Sequence, residues 1–149
     1  MERIDGLVIG AGQAGLGVSR ELAGRGVEHV VLEQGRIGET WRSQRWDAFA
    51  LNSPAWMNRL PGDAAPARPD DFQSAPEFAI ALERYAFRHR LPVHESVTVR
   101  SLHLGFGRDS LSVATDAGVL QARSVVLASG LVEVVGHEQG QREAVAQVP

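Results

Sequence analysis

Apolar and polar residues follow one another along this chain in two rhythms that change over within the first thirty-odd positions. Asp5-Gly6-Leu7-Val8-Ile9 is a short apolar run closed by glycines, which predicts a buried parallel strand. From Gln13 to Arg25 the small and apolar positions Ala11, Ala14, Gly15, Val18 and Leu22 recur every three or four residues, and Gly26 stands where a helix stop belongs. Glu28 to Glu33 then carries the β-branched Val30 and Val31, so the opening segment reads strand, helix, strand and implies a parallel sheet. Residues 34–73 keep neither period. They hold Pro54, Pro61, Pro66, Pro69 and all three tryptophans, which predicts an ordered but irregular excursion of the kind that usually serves function.

Regularity returns at Ser74-Ala75-Pro76-Glu77, which has the spacing of a capping box. Behind it Phe78, Leu82, Tyr85 and Ala86 make one apolar face up to the stop at Pro92. Pro92-Val93-His94 predicts a short third parallel strand. Val97 to Leu104, Ser110 to Thr115 and Val119 to Arg123 are separated by Gly-Phe-Gly-Arg-Asp and Asp-Ala-Gly turn signals and predict a β-meander. Ser124-Val125-Val126-Leu127-Ala128 predicts a final apolar strand ending at Ser129-Gly130, and residues 131–149 show no clear pattern. The fold class expected is α/β, a Rossmann-like dinucleotide-binding fold with a parallel sheet and a β-meander, incomplete at the C-terminus.

Composition narrows the chemistry. At 149 residues, 44% hydrophobic and 22% charged, the chain suits one packed domain and not a disordered or coiled-coil protein. It has no cysteine, which removes thiol catalysis, thiolate metal sites and disulfide exchange by its own residues, so redox chemistry must belong to a bound cofactor. The cations are all arginines, in no basic run, and with a net charge of −3 they give no footprint for nucleic acid. No apolar stretch is long enough for a membrane span and no signal-peptide pattern opens the sequence, so a cytoplasmic location is expected. His29, His89, His94, His103 and His137 lack metal-ligand spacing, and no metal site is expected.

Gly10-Ala11-Gly12-Gln13-Ala14-Gly15 is GxGxxG directly after a strand and opening a helix, with Glu33 at the end of the next strand. Gly10 permits the tight turn, Gly12 admits a pyrophosphate to the backbone amides, and Gly15 lets the helix lie close. Glu33 suits both hydroxyls of an adenosine ribose and repels a 2′-phosphate, so FAD and NAD remain open at this site while NADP is disfavoured.

Further motifs follow in order: Ile37-Gly38-Glu39-Thr40-Trp41-Arg42, Leu51-Asn52-Ser53-Pro54, Leu60-Pro61-Gly62 and Val126-Leu127-Ala128-Ser129-Gly130. With them the chain resembles, from Ile4 to about Gly130, the N-terminal FAD-binding part of flavin-dependent monooxygenases of the FMO and Baeyer-Villiger type, including bacterial flavoproteins described as oxidoreductases or linked to potassium transport. The resemblance implies that Gly10, Gly12, Gln13 and Ala14 cradle the FAD pyrophosphate and Glu33 binds ribose. It implies that Thr40, Trp41 and Arg42 line the cofactor, Asn52 lies beside the flavin, Val97 offers backbone contacts to adenine, and Ser129 with Gly130 passes close to the dinucleotide. Arg42 has a second reading as a surface ion-pair partner and Asn52 as a turn residue. Trp46 and Trp56 are expected to serve packing.

In that family NADPH reduces FAD, and a flavin C4a-(hydro)peroxide oxygenates a nitrogen, sulfur or carbonyl substrate. The expected division is an FAD-binding domain over residues 1–130 and a tail over 131–149 in which the NADPH motif and the remaining FAD-domain strands do not follow, as in a truncated chain. Glu39, where many relatives have glycine, and Ser129 for threonine are the other departures. Two alternatives stay open: a non-catalytic flavin-binding module or remnant that needs a partner chain or oligomer, and an NAD-binding dehydrogenase.

Overall fold

The computed structural model describes residues 3–104 and 110–130. The Gly-Phe-Gly-Arg-Asp turn at 105–109 and the tail at 131–149 lie outside the described residues.

Strand β1 (Arg3–Ile9) feeds through the glycine turn into helix α1 (Gln13–Gly24), and β2 (His29–Leu32) returns parallel to β1, pairing Leu7 with Val30 and Ile9 with Leu32. A five-residue helix α2 (Glu39–Ser43) interrupts the excursion early. Sequence periodicity missed it, because five residues hold too little of a helical repeat to show one. Helix α3 (Ala75–Arg88) begins as expected: Ser74 Oγ accepts from the Glu77 amide, and the Glu77 carboxylate accepts from the Ser74 amide at 2.8 Å. β3 (Val93–His94) pairs parallel with β2.

The last three strands are β4 (Val99–Leu104), β5 (Leu111–Thr115) and β6 (Gly118–Leu127). Here the sequence reading needs correction. The third meander piece and the final apolar strand are one strand of 10 residues, parallel to β1 and antiparallel to β5. Arg123 and Ser124, exposed in its middle, mimic a break; they mark where β6 leaves its pairing with β5 and continues along β1 alone. The meander therefore extends the parallel sheet, and the order is β3-β2-β1-β6-β5-β4.

Successive residues of a strand face opposite sides of the sheet, and β1 shows the consequence. Val8 joins Leu16 of α1 and Phe78, Leu82 and Tyr85 of α3 in one core. Leu7 and Ile9 join Leu32, Val99, Val113 and Ala122 in the other, which the meander closes. Both faces of β1 are thus buried, which anchors the glycine turn that follows it.

Candidate functional site

At the end of β1 the Gly10 amide donates to the Leu32 carbonyl at 2.8 Å, and the chain turns with φ of +105° at Gly10. A Cβ there would stand 2.5 Å from the Ala128 carbonyl oxygen and 3.1 Å from Ser129 Cα. Glycine is required twice over, by backbone conformation and by the passage of the β6 end. A Cβ at Gly15 would fall on the Gly10 carbonyl oxygen, so the third glycine serves close packing of helix on turn. Gly12 differs. It is the N-cap of α1, has no neighbour within 4 Å of a Cβ position, and makes no side-chain capping bond.

The first intrahelical bond runs from the Leu16 amide to the Gly12 carbonyl at 3.0 Å. The amides of Gly12, Gln13, Ala14 and Gly15 precede it and have no acceptor within the helix. No acidic residue lies in that first turn. The mouth of α1 is therefore open, donor-rich and at the positive end of the helix dipole.

Glu33, just past β2, holds its carboxylate against this mouth. One oxygen accepts from the Ala11 amide at 2.8 Å and the other from the Gly35 amide at 2.9 Å. Its role is thus also architectural, since it ties the glycine turn to the segment after β2. An ionised carboxylate offers about four acceptor positions, so two remain for hydroxyl donors. The Val97 amide donates to the Glu33 main-chain carbonyl at 2.9 Å, which sets Val97 next to Glu33. Gly10, Gly12, Gln13, Ala14, Gly15, Glu33 and Ser129 thus lie at one mouth, Val97 is bonded to Glu33, and Gly130 follows Ser129 in the chain.

The second motif comes to the same place by a route the sequence did not reveal. The Gly38 amide donates to the Ala11 carbonyl at 3.1 Å, and Gly38 has φ of +70° with α3 atoms 3.3 Å from a Cβ position. Only glycine lets α2 start there; its place in the quoted motif was the available signal. Thr40 on α2 is exposed. Trp41 packs edge-on against Phe78 at 5.1 Å, with Arg45 stacked 5.0 Å from its ring centre. Arg42 pairs with Glu83 of α3 at 3.0 Å and donates to the Ile37 carbonyl at 3.3 Å, so its ion-pair reading describes its state in this structure. Beside it, Glu39 is held below the usual carboxylate range by the Arg36 amide and guanidinium.

Asn52 is exposed in the excursion. Trp46 and Trp56, expected to pack, are exposed as well, although the Trp46 ring meets that of Phe49 edge-on at 4.8 Å between centres. The residue that reasoning from sequence missed is Asn58, a buried polar side chain in the excursion whose carbonyl is reached by Gln13 Nε2 at 3.5 Å. No motif marks it. Among the described residues, no three acidic or histidine side chains gather as metal ligands, and no helix is long and apolar enough to cross a membrane.

A parallel strand, helix and strand around a glycine turn, with an acid at the tip of the second strand, defines a dinucleotide-binding oxidoreductase fold. Residues 7–134 match the family described as pyridine nucleotide-disulphide oxidoreductase, and the chain belongs to it. It is similar to an uncharacterized CzcO-like oxidoreductase of Geobacillus kaustophilus, 36% identical over 85% of this chain and 36% of that protein. It is also similar to the indole-3-pyruvate monooxygenase YUCCA1 of Oryza sativa, 32% identical over 83% of this chain and 31% of that protein. Among solved structures, a doubly substituted flavin monooxygenase from Stenotrophomonas maltophilia superposes with a TM-score of 0.77 at 30% identity, covering 94% of this chain and 42% of that one. The chain thus spans about a third of the length of these curated relatives. The Rossmann-like fold and the resemblance to flavin monooxygenases, both expected from sequence, are borne out.

Proposed function

We propose that residues 1–130 form the FAD-binding portion of an NAD(P)H-dependent flavoprotein oxidoreductase of monooxygenase type, acting on a nitrogen, sulfur or carbonyl centre. The observation that carries this reading is the pairing of an open, donor-rich helix mouth at Gly12 with a carboxylate anchored beside it by the Ala11 and Gly35 amides. The site fits a dinucleotide on its own geometry: of the three motif glycines Gly10, Gly12 and Gly15, the one with free space at its Cβ position is the one a phosphate would approach.

When bound, the flavin supplies the electron chemistry, accepting hydride from a nicotinamide and passing electrons to oxygen. The chain's residues bind and orient. Amides of Gly12, Gln13 and Ala14 receive the pyrophosphate oxygens, and Glu33 accepts from the adenosine ribose hydroxyls. Thr40, Trp41, Arg42 and Asn52 face the remainder of the cofactor once it is seated, with Val97 beside the adenine and Ser129 and Gly130 along the dinucleotide. Arg42 would then exchange Glu83 for the cofactor or share it between them. The negative Glu33 also keeps a 2′-phosphate away, so NADPH is assigned to residues other than these.

One alternative left open by the sequence is a flavin-binding module that depends on a partner chain for reduction. The test is titration of the folded chain with FAD and NADH, followed by oxygen-dependent NADPH consumption. Tighter binding of FAD is expected. A folded chain that takes up no FAD, or prefers NADH, overturns the proposal; FAD retention without NADPH oxidation selects the module.

A further inference from the structure

Asn58 is 8% exposed in a stretch with no helix or strand of its own. Its Oδ1 accepts from Ser53 Oγ at 2.5 Å, and its Nδ2 donates to the Ser53 carbonyl at 3.2 Å and to Gln73 Oε1 at 3.3 Å. With the oxygen and both amide protons engaged, the side chain leaves no polar group unsatisfied in a buried place. Ser53 directly follows Asn52. Gln73 belongs to the opposite run of the excursion, whose carbonyls at Gln73, Asp71 and Pro69 accept from Leu51, Ala55 and Trp56. Asn58 therefore closes a ribbon made of residues 51–58 and 69–73.

That ribbon is seated on α1. Gln13, the first residue of the helix, donates to the Asn58 carbonyl at 3.5 Å. Leu60 and Pro61 lie 3.6 and 3.7 Å from a Cβ position at Gly17, one turn further along. The glycine turn, in contrast, is held from the β2 side by Glu33, Gly35 and Val97, which share no hydrogen bond with Asn58 among the described residues. The mouth thus has two separately supported flanks.

We propose that Asn58 is a positioning residue that fixes the ribbon carrying Asn52 against the mouth of α1, so that the half of the dinucleotide beyond the pyrophosphate meets a preformed wall. This rests on the FAD-binding reading above. The physical gain is preorganisation: an irregular ribbon held by its own buried network loses less freedom when the ligand arrives than one that must be ordered by it. The adenosine half draws on the other flank, so the two halves of the ligand are separable in solution.

The test uses the full 149-residue chain and two probes, FAD and ADP, titrated into the wild type and the Asn58→Asp variant. The ionised aspartate keeps the shape but has no proton for the Ser53 carbonyl or Gln73 Oε1. The expected result is FAD binding weakened by about tenfold or more, with ADP affinity within about twofold, since broken buried hydrogen bonds carry effects of that order. Bound flavin in the variant should also lose the vibronic structure in its visible band that a fixed, dry surrounding produces. Unchanged FAD affinity, or equal loss for FAD and ADP, overturns the proposal. Should Asn58→Asp fail to fold, Ser53→Ala removes one bond without burying a charge and is judged by the same ratio. A folded wild type that binds neither probe would bring down the FAD reading itself, whereas a wild type that binds both and variants that keep the ratio would remove only the role of Asn58.

Discussion

Two alanine substitutions three residues apart should separate binding from folding. Gly12→Ala places a methyl where nothing stands within 4 Å, at φ of −87° and ψ of −167°, a conformation any residue adopts. Alanine is the poorer N-cap, by up to about 1 kcal/mol. It also restricts the unfolded chain, which returns about 0.4–1 kcal/mol, so the free protein should melt within a degree or two of wild type. The cost falls on the ligand: the methyl holds phosphate oxygens off the first-turn amides, and losing two charge-assisted hydrogen bonds at about 1.5 kcal/mol each weakens FAD roughly hundredfold. Gly15→Ala is the reverse case. Its methyl would meet the Gly10 carbonyl, which cannot retreat because the Gly10 amide is fixed to Leu32 and its Cα lies against Ala128. Overpacking against backbone costs about 2 kcal/mol, or roughly 5–8 °C in melting temperature for a chain of this size. Thermal melts without ligand and calorimetry with FAD read both numbers. The reasoning is refuted if Gly12→Ala binds FAD as wild type does, or if Gly15→Ala melts with it.

Two titrations probe the contact between α1, α3 and the excursion. Tyr85, the chain's single tyrosine, is fully buried, donates to the Pro61 carbonyl at 2.6 Å, and has its pKa pushed up to about 12 by burial and the Asp63 charge. Its folded pKa lies above the ordinary 10.0, so its contribution to stability is complete below pH 10 and is lost as pH rises through about 12. Phenolate absorbance should appear near 12 in the folded chain and near 10 in urea; a folded value near 10 would show that the hydroxyl is solvated. His89 accepts from Arg20 Nε at 3.1 Å and is held below the ordinary 6.5 by burial and then by Arg20, with Asp63 opposing and Arg88 adding to the fall. A depressed value favours the neutral ring in the fold, so this stabilisation is present above pH 6.5 and declines as pH drops through the folded value. Urea melts at pH 7.5 and pH 5 should show a smaller loss for His89→Gln than for wild type, and equal losses would exclude His89 as the source.

What sequence revealed and what it concealed divide by the range of the interactions. The strand, the glycine turn, α1 and Glu33 were legible because a short period, a helix-opening motif and an acid at fixed separation are all written locally. The capping box at Ser74 was legible for the same reason. The unity of β6 was not, because two exposed polar residues where it changes partner resemble a break. Nor was the seating of α2, which depends on an amide at Gly38 meeting a carbonyl at Ala11. Asn58 lay furthest from reach. An asparagine between Met57 and Arg59 gains its meaning only when Ser53, Gln73 and Gln13 converge on it.

In the proposed complex, first-turn amides receive a pyrophosphate while a neighbouring carboxylate stays anchored. Amide resonances of the labelled chain, followed as FAD is added, test this most directly. The largest shifts should fall on Gly12, Gln13 and Ala14, with Ala11 and Gly35 moving less because Glu33 already accepts from both. Saturable FAD binding that leaves the α1 mouth unmoved would contradict it.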